Sequence, residues 1–550
     1  MKCCSEEKFG KVLGYSFLVA KTKNEERRTK NNSGVTLIGI IAAIVIMGLL
    51  GAGVLMLVST GSMESIQTLN WGQSFYAAES GVSAARAYMA TKTTWYTNSS
   101  TITGAVGSAS FIATLNTHGG ITSVGSKDEA QWTSIWRPTW HAMLVYGSGV
   151  NTPYNRGFPR YRIWDGSVWS SPSNASSIGN NRYINWVVVK ACPKRDEYIA
   201  ATIDANRRVM AQVWRDGSWG DLQTIASVNN AAYRGVDVAY ESLSGDAMVV
   251  AADGDADPVC YVWNGAVWTV SGNVNISRAG NAMWVKLASD PVSDEIIVMV
   301  QNSLQYYTAQ VWNGNAWGNE NLPAARSPAV RYESMAVEYE TSGDQAIIVS
   351  AGGTAGNFKW NSWNGTIWGT EDSVACGDDF YWASLVNDPY SDDSLLTFIN
   401  TATADGGRVF WNGAAWGTRY VLDSSMETEF DRCIDGAFET IDGHAGHAVV
   451  AYGNGSVAVG RHAADPSKTT WEPVAGTTIC SDDTATVQIR RTGDGKILAL
   501  SFNWTDTQYE FSWYDGTNWS AIETLETAPS VTASPWKEPF MMAPQLWVLP

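Results

Sequence analysis

Trp263-Asn-Gly-Ala-Val-Trp268 is one of seven copies of a single pattern, two aromatic residues five apart with Asn-Gly or Asp-Gly between them. The others are Trp164-Asp-Gly-Ser-Val-Trp169, Trp214-Arg-Asp-Gly-Ser-Trp219, Trp312-Asn-Gly-Asn-Ala-Trp317, Trp363-Asn-Gly-Thr-Ile-Trp368, Trp411-Asn-Gly-Ala-Ala-Trp416 and Tyr514-Asp-Gly-Thr-Asn-Trp519. A degenerate eighth copy lies at Trp471, where the Asn-Gly turn is lost. The period of about 50 residues falls in the range where repeats mean propellers, solenoids or arrays. Asn-Gly and Asp-Gly supply the positive φ of a tight hairpin, so each dyad marks a strand, a turn and another strand.

Between dyads the chain is also strand-like. Trp186-Val-Val-Val-Lys190, Tyr198-Ile-Ala-Ala-Thr-Ile203 and Val209-Met-Ala-Gln-Val-Trp214 are short β-branched runs separated by polar breaks. Trp284-Val-Lys-Leu-Ala288, Ile296-Ile-Val-Met-Val300 and Thr308-Ala-Gln-Val-Trp312 follow the same plan. Three strands plus the one after the dyad make four per repeat, the content of a propeller blade. The reading is a mostly β chain: an eight-bladed β-propeller, or seven-bladed because the Trp471 copy is weak, preceded by a long N-terminal transmembrane helix. The tail Pro535-Trp-Lys-Glu-Pro-Phe-Met-Met542 reads as a further first strand that closes the ring.

A formal net charge of −17 makes nucleic acid a poor partner. Val35 to Val58 carry no charge, enough for a membrane helix of about 20 residues. Lys21, Lys23, Arg27, Arg28 and Lys30 precede that run, which puts the N-terminus in the cytoplasm and exports the rest. The expectation is a single-pass protein of the cytoplasmic membrane with its propeller in the periplasm or at the cell surface. The segments are a basic leader (1–34), a transmembrane and periplasmic helix (35–90), a Ser/Thr/Gly-rich linker (91–125) and the propeller (126–550).

Asn32-Ser-Gly-Val-Thr-Leu-Ile-Gly39 resembles the type IV prepilin processing site, where a peptidase cuts after Gly and methylates the new N-terminus. Phe75-Tyr-Ala-Ala-Glu-Ser-Gly-Val-Ser-Ala-Ala-Arg86 is similar to the helix continuation of PilX-type minor pilins. The resemblance covers residues 30 to 90 and implies processing between Gly34 and Val35. Its implied partners are the inner membrane before assembly, a prepilin peptidase and other pilins or pseudopilins. Major pilins carry Glu at the fifth mature position, whereas this chain has Gly39. That departure, with a bulky propeller, implies a rare or terminal subunit.

Candidate sites are few. Cys3 and Cys4 fall in the leader, and Cys192, Cys260, Cys376, Cys433 and Cys480 are scattered without metal-ligand spacing. Asp253-Gly-Asp-Ala-Asp-Pro258 alternates the carboxylates Asp253, Asp255 and Asp257 as calcium loops do, but Pro258 stands where a Gly is needed. Ca2+ is the only cofactor this suggests, and a solvated loop is the plainer reading. His444 and His447 share a glycine-rich turn with no third ligand nearby in sequence. Trp132, Trp186, Trp284 and Trp382 occupy the start of first strands, so they are expected at one mouth of the channel, for ligand stacking or for core packing.

The dyad turns are partly similar to the Asp-box of sialidase propellers, but here Asp or Asn abuts Gly directly. A sialidase needs an arginine cluster, a Tyr nucleophile and a Glu partner, which spacing cannot assemble. The functional expectation is a non-enzymatic surface or pilus-associated protein that recognises a glycan or partner. A sialidase-like glycan-processing enzyme and a structural pseudopilin that docks secretion components are the alternatives.

Overall fold

The computed structural model describes residues 35–89, 100–115, 121–136, 142–147, most of 157–527, and 540–542. They belong to two compact units, 1–70 and 71–550. One helix, α1 (Val35–Met89), begins directly after the expected processing site; Gly34 and the residues before it lie outside the described residues.

The transmembrane expectation is corrected. Among the described residues no helix is long and apolar enough to cross a membrane, so a single-pass localisation is not sustained. Large apolar side chains of α1 stand exposed from Ile41 to Leu50. Farther along, Gln67, Asn70, Gln73, Glu79 and Arg86 break the apolar run.

The count of sheets is corrected too. Among the described residues there are nine four-stranded antiparallel sheets, against the eight, or seven, blades expected. The extra one is built by the segment expected as a linker: β1 (Ser100–Val106), β2 (Ala109–Leu115), β3 (Ile121–Lys127) and β4 (Ala130–Trp136) pair in sequence as a meander. Ala109, Phe111, Ala113 and Leu115 on β2 are buried while the residues between them are exposed, the alternation of a half-covered strand. The cover is α1. Ala77 and Ala78 are fully buried, and a Cβ on Gly125 would sit 2.0 Å from the Ser74 carbonyl oxygen. Only Gly permits that approach of sheet to helix. Ser134 Oγ donates to Glu79 Oε1 at 2.6 Å. The Ala-Ala-Glu-x-Gly stretch thus forms the helix face that docks on this sheet.

The other eight sheets follow one another in chain order, each first strand packing on the next. In seven of them the first strand in sequence is innermost: Ile184–Ala191, Val236–Tyr240, Ala282–Ser289, Met335–Tyr339, Phe380–Asn387, Ile434–Phe438 and Thr484–Arg491. They are numbered blades 2 to 8 here. In blade 1 the inner strand is Phe540–Met542 from the tail, hydrogen-bonded to Ala142–Gly147, so the chain's last described strand closes the ring. Closure removes the exposed edges of an open stack.

The dyads are the outer hairpins. Trp263 pairs with Trp268 and Trp312 with Trp317, and their rings pack 5.3 and 5.7 Å apart. Every dyad glycine has positive φ, from +78° at Gly217 to +98° at Gly166. The Asn contributes differently from expectation: Asn264 Oδ1 accepts from the backbone N–H groups of Ala266 and Val267, at 3.1 and 2.9 Å.

Candidate functional site: the charged end of the channel

Trp186, Trp284 and Trp382 lie at matching places on the inner strands of blades 2, 4 and 6, each beside a bulge in the pairing. All three are at most 2% exposed. Their indoles meet edge to face, with centroids 5.6 Å apart for Trp186–Trp284 and 5.7 Å for Trp284–Trp382. Side chains of alternate blades therefore touch across the ring, and the Trp284 indole N–H donates to the Val330 carbonyl at 2.8 Å. Trp132 is not with them. It sits on β4, 43% exposed, with its ring 5.4 Å from that of Phe75.

Two to five residues beyond these tryptophans, the same strands line a cavity of about 100 Å3. Lys190, Arg234, Lys286, Arg432, Arg490 and Arg491 face it. Four carboxylates answer them. Glu333 takes an ion pair from Arg234 and lies 3.9 Å from both Lys286 and Arg432. Asp237 lies 3.6 Å from Arg234, and its Oδ2 accepts the Leu287 N–H of the next blade at 2.9 Å. Asp435 pairs with Arg490 and accepts the Ile489 N–H. Glu338 completes the set.

With Asp388 acting on Arg491, six cations against five carboxylates leave the chamber positive inside a chain of net charge −17. Among the described residues Lys190 makes no hydrogen bond or ion pair; the carboxylates of Asp237 and Glu338 favour its charge. Burial lowers the Lys190 ammonium and pushes Lys286 down to about 8, against the pull of Glu333. Burial likewise raises Glu338 to about 7, with Lys190 opposing. Burial works against ionised Glu333 and Asp435 as well, but their arginine and lysine neighbours hold both below the usual carboxylate range.

The other expected sites are dispersed. Asp253 and Asp257 serve their own loops: Asp253 Oδ1 accepts the Asp255 N–H, and Asp257 Oδ1 accepts the Asn275 and Ile276 N–H groups. Among the described residues Cys192, Cys260, Cys376, Cys433 and Cys480 are buried and form no disulfide, and burial pushes Cys260 and Cys376 up to about 12. His444 and His447 do gain a third neighbour, Glu439.

A longer period explains what the single repeat missed. Trp186, Trp284 and Trp382 recur every 98 residues; Arg234, Glu333 and Arg432 recur every 99. The unit is a pair of blades, and the second series alternates in charge so that its members attract one another across the channel.

The fold and site define a β-propeller with an aromatic level and a cationic chamber along one channel. No protein-family model matches the chain, and no curated protein does. Among solved structures it is similar to the BP39L lectin of Burkholderia pseudomallei, at 11% identity and a TM-score of 0.46, covering 62% of this chain and 99% of that one. It is also similar to the fucose-specific lectin of Aleuria aurantia (12%, TM-score 0.34, 63% of this chain and 96% of that one). A eukaryotic initiation factor is matched at 10% and TM-score 0.37, covering 70% of this chain and 96% of that one. A propeller alone does not select among such roles.

Proposed function

We propose that this chain is a recognition protein of the minor-pilin type, whose propeller binds an acidic glycan at the charged end of its channel without turning it over. The chamber carries this reading. An excess of cationic side chains in a confined cavity attracts a carboxylate, sulfate or phosphate, and guanidinium groups suit such planar or tetrahedral acids. The arginine cluster a sialidase would need is present in Arg234, Arg432 and Arg490, but among the described residues no tyrosine lines the cavity. That favours recognition over glycoside hydrolysis through a tyrosine.

The assembly half of the proposal rests on the Gly34-Val35 junction and on α1. Ile41, Ile44, Ile46, Met47, Leu49 and Leu50 are each more than half exposed on that helix. A run of bare apolar side chains needs a cover, which neighbouring helices of like subunits would supply. A glycan array comparing acidic with neutral sugars, run beside a fluorogenic sialoside assay, tests the function. Binding confined to acidic glycans with no turnover supports it. Binding to neutral glycans alone, or steady turnover, contradicts it.

A further inference from the structure

We infer that the turn between the first two strands of blade 7 is a binding site for one zinc-type divalent metal ion, held by Glu439, His444 and His447. One ligand atom from each lies within 4.8 Å of the others. His444 Nδ1 is 2.9 Å from Glu439 Oε2, and the two imidazoles stack with centroids 4.9 Å apart. Two ligand atoms on a tetrahedral zinc, each at about 2.0–2.1 Å from it, stand roughly 3.3 Å apart. The observed spacing needs only a small adjustment of the turn. Two imidazoles and a carboxylate are a donor set zinc accepts, with the fourth position open to water or to an atom of a partner.

The chain supplies its own controls. Glu241, Glu340 and Glu439 recur every 99 residues, each directly after the inner strand of blades 3, 5 and 7. Each opens a turn closed by the same backbone bond, to the carbonyls of Asp246, Gln345 and His447. In blades 3 and 5 the carboxylate Oε1 accepts the indole N–H of the next blade's dyad, from Trp312 at 2.7 Å and Trp411 at 2.6 Å. In blade 7 two things change together. The next dyad begins with Tyr514 in place of Trp, and the turn is three residues longer and carries both histidines. A purely structural repeat has no use for that pairing of changes, whereas a metal site needs both: the indole removed from the carboxylate, and nitrogen ligands brought to it.

Access fits. Glu439 is fully buried, His447 is 8% exposed, and the His444 side chain is 33% exposed, so the ion enters past His444.

The test uses the full chain, stripped with a chelator and titrated with Co2+ as a spectroscopic probe, then with Zn2+ as competitor. The expected result is one Co2+ per chain with tetrahedral visible absorption, bleached by Zn2+, and affinity at least about tenfold weaker in His444→Asn. His444 is partly exposed, and near-ultraviolet circular dichroism of the tryptophans verifies that the variant is folded. His447→Asn checks the second imidazole the same way. No Co2+ uptake by the wild type, or equal uptake by a folded His444→Asn variant, overturns the site.

Discussion

The indole N–H of Trp312 donates to Glu241 Oε1 at 2.7 Å, and the two residues belong to consecutive blades. Trp263 to Glu197, Trp363 to Glu295 and Trp411 to Glu340 repeat the contact at 3.1, 2.6 and 2.6 Å. The first tryptophan of the dyad is therefore more than hairpin packing. It ties the third strand of its own blade to the preceding blade, a polar link inside an otherwise apolar seam.

Removing the acceptor should show the size of that link. Glu241→Ala strands the Trp312 indole in a buried place, a cost of about 1–3 kcal/mol; Glu241→Gln keeps an acceptor and loses less. Urea denaturation of the two variants checks the order. Equal stability of Glu241→Ala and wild type would mean the contact contributes nothing.

Gly365 isolates the role of the turn glycine. Its φ is +80°, and no atom lies within 4 Å of the place a Cβ would take. Gly365→Ala therefore meets strain but no clash and should cost about 1–2 kcal/mol. A thermal melt reads it, and no change would show that the turn adopts another conformation without penalty.

The tryptophan level predicts a split between size and stacking. Trp284 is fully buried against Trp186, Tyr233 and Trp382. Trp284→Ala should destabilise by about 3–5 kcal/mol through the cavity it leaves, and Trp284→Phe by less. Because the acid group is held farther along the strands, Trp284→Phe should still bind acidic glycans. Loss of binding by that variant while it remains folded would move the ligand to the tryptophans.

Anion binding should weaken with rising pH. The Glu338 carboxyl is raised from 4.5 to about 7, so it favours the folded state below pH 4.5, and that contribution is lost as pH rises to 7. The Lys286 ammonium is lowered from 10.5 to about 8, so the folded state loses its proton first and gains relative stability between pH 8 and 10.5. Across pH 6 to 9 the chamber thus sheds positive charge twice over. Affinity for an acidic glycan should fall over that range, and Glu338→Gln should remove the part centred near pH 7. A flat profile in the wild type would contradict this electrostatic account.

The dyads made the outer hairpins legible, because Gly at positive φ and β-branched runs are local signals. The sheet β1–β4 was not. Its outer face mixes Ile112 and Trp132 with Thr and Ser, and its inner face is covered by the small residues Ala77, Ala78 and Gly81 of α1, so the apolar alternation is clear on β2 only. Trp132 was misplaced for the same reason, since it precedes the first dyad yet belongs to that sheet. The chamber was hidden because Arg234, Glu333 and Arg432 differ in charge at equivalent positions. Glu439 escaped notice because it ends a strand while both histidines lie in the turn.

The most direct measurement is a titration of the wild-type chain with an acidic oligosaccharide and with its methyl ester, repeated on Lys190→Ala. The account predicts that the ester binds at least about tenfold more weakly than the acid, and that Lys190→Ala shrinks the difference. Equal affinity for acid and ester, or an unchanged difference in Lys190→Ala, would contradict it.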